Sequence, residues 1–194
     1  MRYSICKPMV KLKNAERGFM KSVFFHEDDF CQIEILPAES LGFCLQQADC
    51  VAEFADAHKT DMGYSDMYVR EAAPASLHSK KISDTILQNL LGKLLPEFEE
   101  VYTGYGSSRT KCKNIKAFGQ DENVVLFNES ENNVVKNIWL TLNIKKKTDI
   151  AVAKNIFDIL SQTGDFLIAD WSWDFVELLS NAASIDSYLE KVRA

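Results

Sequence analysis

"DFLIADWSWDFVELL", residues 165–179, sets two short apolar runs on either side of the five residues Asp170-Trp171-Ser172-Trp173-Asp174. FLIA and FVELL have the length and apolar character of strands in a sheet covered on one or both faces. The five residues between them have the length of a hairpin loop. A β-hairpin is therefore expected, with Asp170 and Asp174 exposed and ionised at its mouth. The two tryptophans then pack partly on the sheet and partly face solvent. Two carboxylates four residues apart act as acid and base only if burial drives their pKa values apart. Nothing in the local sequence calls for that burial. Exposed tryptophan ringed by charge is, by contrast, a composition favoured where proteins bind one another.

Upstream of this hairpin, Ile150, Ala153, Phe157 and Leu160 mark the inner face of a helix. Thr148 is expected to cap its start, and Gly164 to close it in a left-handed turn. Downstream, Ile185, Tyr188, Leu189 and Val192 carry helical spacing after a cap at Ser184. Earlier in the chain, residues 38–59 read as a long helix opened after Pro37, and residues 79–95 as a second one ended by Pro96. "FMKSVFFHEDDFCQIEIL" reads as two strands joined at His26-Glu27-Asp28-Asp29. "DMYVRE" suggests a short strand. FEEVYTG, NIKAFG, NVVLFN and VVKNIWLTLNI are further strands, the middle two forming a hairpin across Gln120-Asp121-Glu122. The sum is an α+β fold: a mostly antiparallel sheet with about four helices packed on it, in a single domain over residues 1–194.

Composition bounds the function. The apolar fraction is 46%, enough to bury a core, and the net charge is −6, which argues against a general nucleic-acid binder relying on a basic face. The charge is uneven. Residues 1–25 hold six basic groups and one acid, whereas residues 26–79 hold two basic groups and 11 acids, a balance of −9. An acidic face of that strength steers a basic partner. The five cysteines (Cys6, Cys31, Cys44, Cys50 and Cys112) are odd in number and form no Cys-x-x-Cys pair, so a reduced, cytoplasmic set is expected. The start of the chain lacks the apolar run of a signal peptide, and no stretch approaches the ~20 apolar residues that span a membrane.

Other motifs are less informative. His26-Glu27-Asp28-Asp29 has metal-ligand residue types. Adjacent residues diverge, however, and His58 and His78 stand alone, so neither a metal nor another cofactor is expected. "GYGSSRTK", residues 104–111, lacks the spacing of either phosphate-binding glycine motif and reads as a loop. As a binding loop it would offer Tyr102 and Tyr105 as contacts and Arg109, Lys111 and Lys113 as counter-charges. No G-x-S-x-G elbow occurs. Cys112, between Lys111 and Lys113, has the setting most suited to a lowered thiol pKa, but no histidine beside it.

The run "ILSQTGDFLIADWSWDFVELLSNAASIDSYL" passes from a helix ending at Gly, through an apolar strand to Asp-Trp and a second strand, to a short helix ending in Tyr-Leu. In this it resembles the tail of immunity proteins of contact-dependent inhibition and related polymorphic toxin systems. The resemblance covers about 30 residues and carries over no functional residue, since those families share no catalytic motif. It implies a cytoplasmic acidic protein that neutralises one toxin domain, a basic nuclease, by surface complementarity. No cofactor, direct nucleic-acid contact or membrane is involved. The expected contacts are Glu27, Asp28 and Asp29 at the first joint, and Asp170, Trp171, Trp173 and Asp174 at the last. A small hydrolase or transferase using a carboxylate pair, and a stand-alone ligand-binding domain, are the rival readings.

Overall fold

The computed structural model describes residues 22–193. Cys6 and nearly all of the basic stretch over residues 1–25 lie outside them. In chain order the strands and helices are β1 (Ser22–His26), β2 (Ile33–Pro37), α1 (Leu41–His58), β3 (Lys59–Thr60), β4 (Gly63–Tyr64), α2 (Asp84–Leu91), β5 (Glu100–Gly104), β6 (Thr110–Lys111), β7 (Ile115–Gly119), β8 (Val124–Glu131), β9 (Val134–Leu142), α3 (Lys147–Thr163), β10 (Phe166–Asp170), β11 (Phe175–Leu178) and α4 (Ala182–Lys191).

Six strands form one sheet in the order β11-β10-β2-β9-β8-β7, antiparallel at every pairing. The fold is therefore α+β with a mostly antiparallel sheet and, among the described residues, four α-helices. The β7–β8 hairpin turns across Gln120–Glu122 as the sequence suggests. The β8–β9 hairpin turns at Asn132 and Asn133, whose φ values of 51° and 62° suit the paired left-handed residues of a tight two-residue turn. The hairpin at residues 166–178 also forms, Asp170 opposite Phe175 and Leu167 opposite Leu178.

Strand alternation places the core on both sides of this sheet. In β10, Phe166 and Ile168 join the main cluster with α2, α3 and α4, while Leu167 and Ala169 face Cys44 and Ala48 of α1. All five β10 residues are buried, which is why the strand reads as an unbroken apolar run. In β8, Val124 and Leu126 join the main cluster, whereas Val125 and Phe127 pack with Val23, Phe25 and Val101. Those three belong to a second sheet, β1-β5-β6. One face of the large sheet is thus covered by α2–α4. The opposite face is covered at one end by the small sheet and at the other by α1, with β2 between the two coverings.

Several expectations need correction. β1 and β2 do not form a hairpin. A 3-10 turn at Glu27–Asp29 and a left-handed Cys31 (φ 54°) redirect the chain, so β1 pairs in parallel with β5 while β2 enters the large sheet between β10 and β9. Cys31 therefore sits in a turn rather than in a strand. The helix expected over residues 79–95 is only eight residues long. It is delayed by a left-handed Lys81 (φ 52°) and by pairing of Ser83 with Val134. "DMYVRE" forms no strand; residues 66–76 cross the molecule without regular pairing until a 3-10 turn begins at Leu77. At α3, the Asp149 carboxylate, not Thr148, accepts the Lys145 and Lys146 N–H groups, at 2.9 and 3.0 Å. Gly164 is extended rather than left-handed (φ 171°); its missing Cβ leaves room for the Phe166 ring. Asn181, not Ser184, caps α4, its side chain accepting the Ser184 N–H. No helix of the described residues is long and apolar enough to cross a membrane.

Candidate functional site

The two segments expected to make contact come together. Ile33 is opposite Asp170 in the sheet, and the Trp171 N–H donates to the Gln32 carbonyl at 3.0 Å. The turn holding Glu27, Asp28 and Asp29 therefore lies beside the β10–β11 tip at one end of the large sheet. Glu27, Asp28, Asp29 and Asp174 are exposed. Among the described residues, none of these four pairs with a lysine or arginine; only Asp28 lies against His26, at 3.3 Å. Asp29 accepts the His26 N–H, so the metal-like His26–Asp29 run is a capped turn, not a converging ligand set. Phe30 and Trp173 add exposed aromatic surface, 40% and 46% accessible. Lys191 sits 5.5 Å above the Trp173 ring.

The expected symmetry of the hairpin mouth fails at Asp170 and Trp171. Asp170 is 1% exposed rather than solvated. One oxygen accepts the Tyr188 hydroxyl at 2.6 Å, and the other accepts the Ser172 N–H at 3.0 Å. Burial raises its pKa, although the Tyr188 hydrogen bond opposes the shift. The Tyr188 hydroxyl is itself held well above the usual phenol range, by burial and then by the adjacent Asp170 charge. With both oxygens engaged, Asp170 is a clamp between hairpin and α4, not half of a solvent-facing carboxylate pair. Asp174, by contrast, occupies the left-handed region at φ 48° on the surface. Trp171 is buried with Cys44, Ala48 and Leu167.

The indole of Trp171 leads to a cluster that residue spacing did not reveal. Its Nε1–H donates to Glu34 Oε1 at 2.8 Å. Arg70, carried by the crossing segment 66–76, lies with its guanidinium carbon 4.4 Å from the Trp171 ring centroid. Arg70 Nη2 donates to the Cys31 carbonyl at 3.2 Å, and Nη1 lies 3.6 Å from Glu34 Oε1. Gln47 of α1 anchors the same segment by accepting the Glu71 N–H at 3.2 Å. These groups line a cleft of about 300 Å³ on the α1 face of the sheet, walled further by Phe43, Ala73 and Ala75.

Electrostatics here are dominated by burial. Glu34 is pushed from 4.5 up to about 7, burial outweighing the pull of Arg70. Burial also raises the Cys44 thiol to about 11, and drives Cys31 higher still, with Glu34 adding to both shifts. Neither thiol supplies a thiolate at neutral pH. Cys112 behaves likewise: burial and then Glu129 raise its pKa, so the flanking lysines do not activate it. The cluster can thus hold a proton on Glu34 near neutrality and present a fixed guanidinium, but it contains no ready nucleophile. One signal in the sequence pointed here: Arg70 is the only arginine between Arg17 and Arg109, and it interrupts the acidic segment.

Compared with family models, with curated proteins and with solved structures, the chain finds no match.

Proposed function

We propose that this chain is an immunity protein, a non-enzymatic binder that captures and neutralises a basic toxin domain on the acidic, aromatic end of its large sheet. The supporting observation is the meeting of two turns distant in sequence, residues 27–32 and 171–174, into one surface. The turns are joined at Gln32 and Trp171, and they expose Glu27, Asp28, Asp29 and Phe30 on one and Trp173 and Asp174 on the other. Among the described residues these four acids meet no lysine or arginine, and a field of one sign accelerates capture of an oppositely charged partner. The large side chain free to enter a partner's pocket is Trp173; Trp171 is committed to the α1 contact and to Glu34.

The test is to look for a basic toxin domain encoded next to this chain and, with one found there, to co-express the two and measure binding kinetics on the purified pair. Protection of the cells and a tight one-to-one complex are expected. Trp173→Ala should raise the dissociation rate at least about 30-fold, the loss of an anchor worth ~2 kcal/mol or more. Its thermal melt should stay close to that of the wild type. Toxicity unrelieved by the chain would end the immunity reading. Protection unchanged in Trp173→Ala would move the interface off this end.

A further inference from the structure

The Arg70 cleft is unused by the surface just described, and its geometry points to a ligand of its own. Arg70 is held from three sides: its ring contact with Trp171, the Cys31 carbonyl on Nη2, and the covering segment itself. Among the described residues its buried Nη1 has no acceptor within hydrogen-bond distance, Glu34 Oε1 lying at ion-pair distance, 3.6 Å. A buried charged donor left unmade is costly, so the arrangement favours an acceptor oxygen supplied from outside. A guanidinium so fixed is pre-organised for an oxyanion. Besides Glu34, Glu71 and Lys136, the rest of the lining is uncharged and includes Phe43, Ala73 and Ala75. The lysine in the lining, Lys136, already faces Glu129 and Glu131 at 3.9 and 3.6 Å. Among the described residues Arg70 is paired with Glu34 alone, at 3.6 Å, so its charge is open to a ligand when Glu34 is protonated; one such charge matches a monoanion better than a dianion such as phosphate.

We propose that this cleft binds a small organic carboxylate with a short apolar or aromatic body, its carboxylate on Arg70 and its body against Phe43, Ala73 and Ala75. Glu34 then tunes the affinity. Protonated, it leaves the Arg70 charge to the ligand; ionised, it neutralises Arg70 and repels the ligand. The titratable groups that share the cleft with Glu34 are Cys31, Cys44, Arg70, Glu71 and Lys136, with Glu129 acting on Cys31 from beyond it, and the two thiols remain protonated at neutral pH. Binding is thus expected to weaken as pH rises through the range where Glu34 ionises.

The experiment is an NMR titration of the full ¹⁵N-labelled chain with sodium benzoate and sodium hexanoate, beside benzamide, hexanamide and inorganic phosphate. Either carboxylate or both should shift the Trp171 indole N–H saturably, with a Kd of about 0.01 to 1 mM for molecules of this size. The matching amides should bind at least about tenfold more weakly, and phosphate should not displace the carboxylate. Affinity should drop by up to about tenfold between pH 6 and pH 8. Arg70→Gln should abolish the shift. If that variant does not fold, Ala73→Trp, which fills the cleft and keeps Arg70, should abolish it instead. No saturable shift from either carboxylate up to about 10 mM, a range that would detect even millimolar affinity, overturns the proposal. So do equal binding of acid and amide, displacement by phosphate at equal concentration, and undiminished binding in the folded variant.

Discussion

Asp170 and Glu34 are carboxylates on adjacent strands, the first buried and the second half-buried, and their partners give them different work. Asp170 is satisfied by Tyr188 and Ser172, and Phe175 stacks on the Tyr188 ring at 4.2 Å, so the clamp joins β10, β11 and α4. Tyr188→Phe keeps the stack and removes one charge-assisted hydrogen bond from a buried carboxylate. It should cost about 1.5–3 kcal/mol in denaturant unfolding and raise the Asp170 pKa further, readable by carbon NMR. A melt identical to wild type would mean the hydroxyl is not holding the carboxylate. For Glu34 the pH dependence follows from its shift, 4.5 to about 7 on folding. Between those values the folded chain binds more protons than the unfolded one, so stability falls as pH rises. The contribution is fully present below the unfolded pKa and lost as pH passes the folded one, amounting to at most ~3 kcal/mol. Glu34→Gln keeps an acceptor for the Trp171 indole and removes the titration. The variant should gain on wild type steadily from pH 5 to pH 8; parallel profiles would show that Glu34 titrates normally. Neither carboxylate could be singled out in the sequence, because FLIAD and QIEIL look alike whether the acid points to water or into a core. What decides is the partner, and Tyr188 and Arg70 lie far along the chain.

At the scale of elements, legibility followed locality. The β7–β8 and β10–β11 hairpins are closed by short connections between neighbouring apolar runs, so both partners and turn fall within one reading window. β1 and β2 offered the same outward pattern and misled. The left-handed Cys31 and the parallel partner β5 are features no local window contains. The second helix was overextended for a related reason: Ile82, Ile86 and Leu94 keep helical spacing, but Asp84 is pinned to Asn128 Nδ2 and Ser130 Oγ at 2.6 and 3.0 Å. That buried anchor fixes where the helix begins, and tertiary contact overrides propensity. Ile86, whose spacing with Ile82 and Leu90 suggests a place in a buried stripe, is 60% exposed. The loop after β5 is legible in the sequence, but the close approach that requires it is not. A Cβ on Gly104 would collide with the Ser108 carbonyl oxygen and come within 2.8 Å of its carbon, both backbone atoms that cannot swing aside. Gly104→Ala should therefore open the β5–β6 turn, destabilising the chain by roughly 1–3 kcal/mol, with amide exchange rising first in Thr103 and Thr110, which face each other. Gly106→Ala is the control: its Cβ meets no atom, and only its φ of 59° resists. An exchange pattern the same in both variants would place the requirement in backbone conformation rather than in the close approach.

At the scale of the molecule, six of the 11 acids of the acidic segment fall in two places. Glu27, Asp28 and Asp29 crown the sheet end, while Asp49, Glu53 and Asp56 run as an exposed stripe along α1. The sequence summed them into one balance of −9 and could not separate them. Their separation makes the binding proposal testable by where charge is removed. Screening confines a surface charge to about 10 Å at 0.1 M salt, and to about 30 Å at 0.01 M. At low salt both acidic sites feed the field a basic toxin domain meets, so neutralising either with Gln and Asn should slow association. Near physiological salt only charges close to the docking surface still act. There Glu27→Gln with Asp28→Asn and Asp29→Asn should remain several-fold slow, while the α1 triple variant returns to the wild-type rate. Dissociation should hardly change in either, because exposed charges at a rim govern encounter more than residence. Stopped-flow association at the two salt concentrations reads both quantities. A persistent defect in the α1 variant, with recovery in the turn variant, would put the partner on the helix. The expected pattern requires the sheet end to be the docking surface, since long-range attraction belongs to the whole molecule and short-range attraction only to the place of contact.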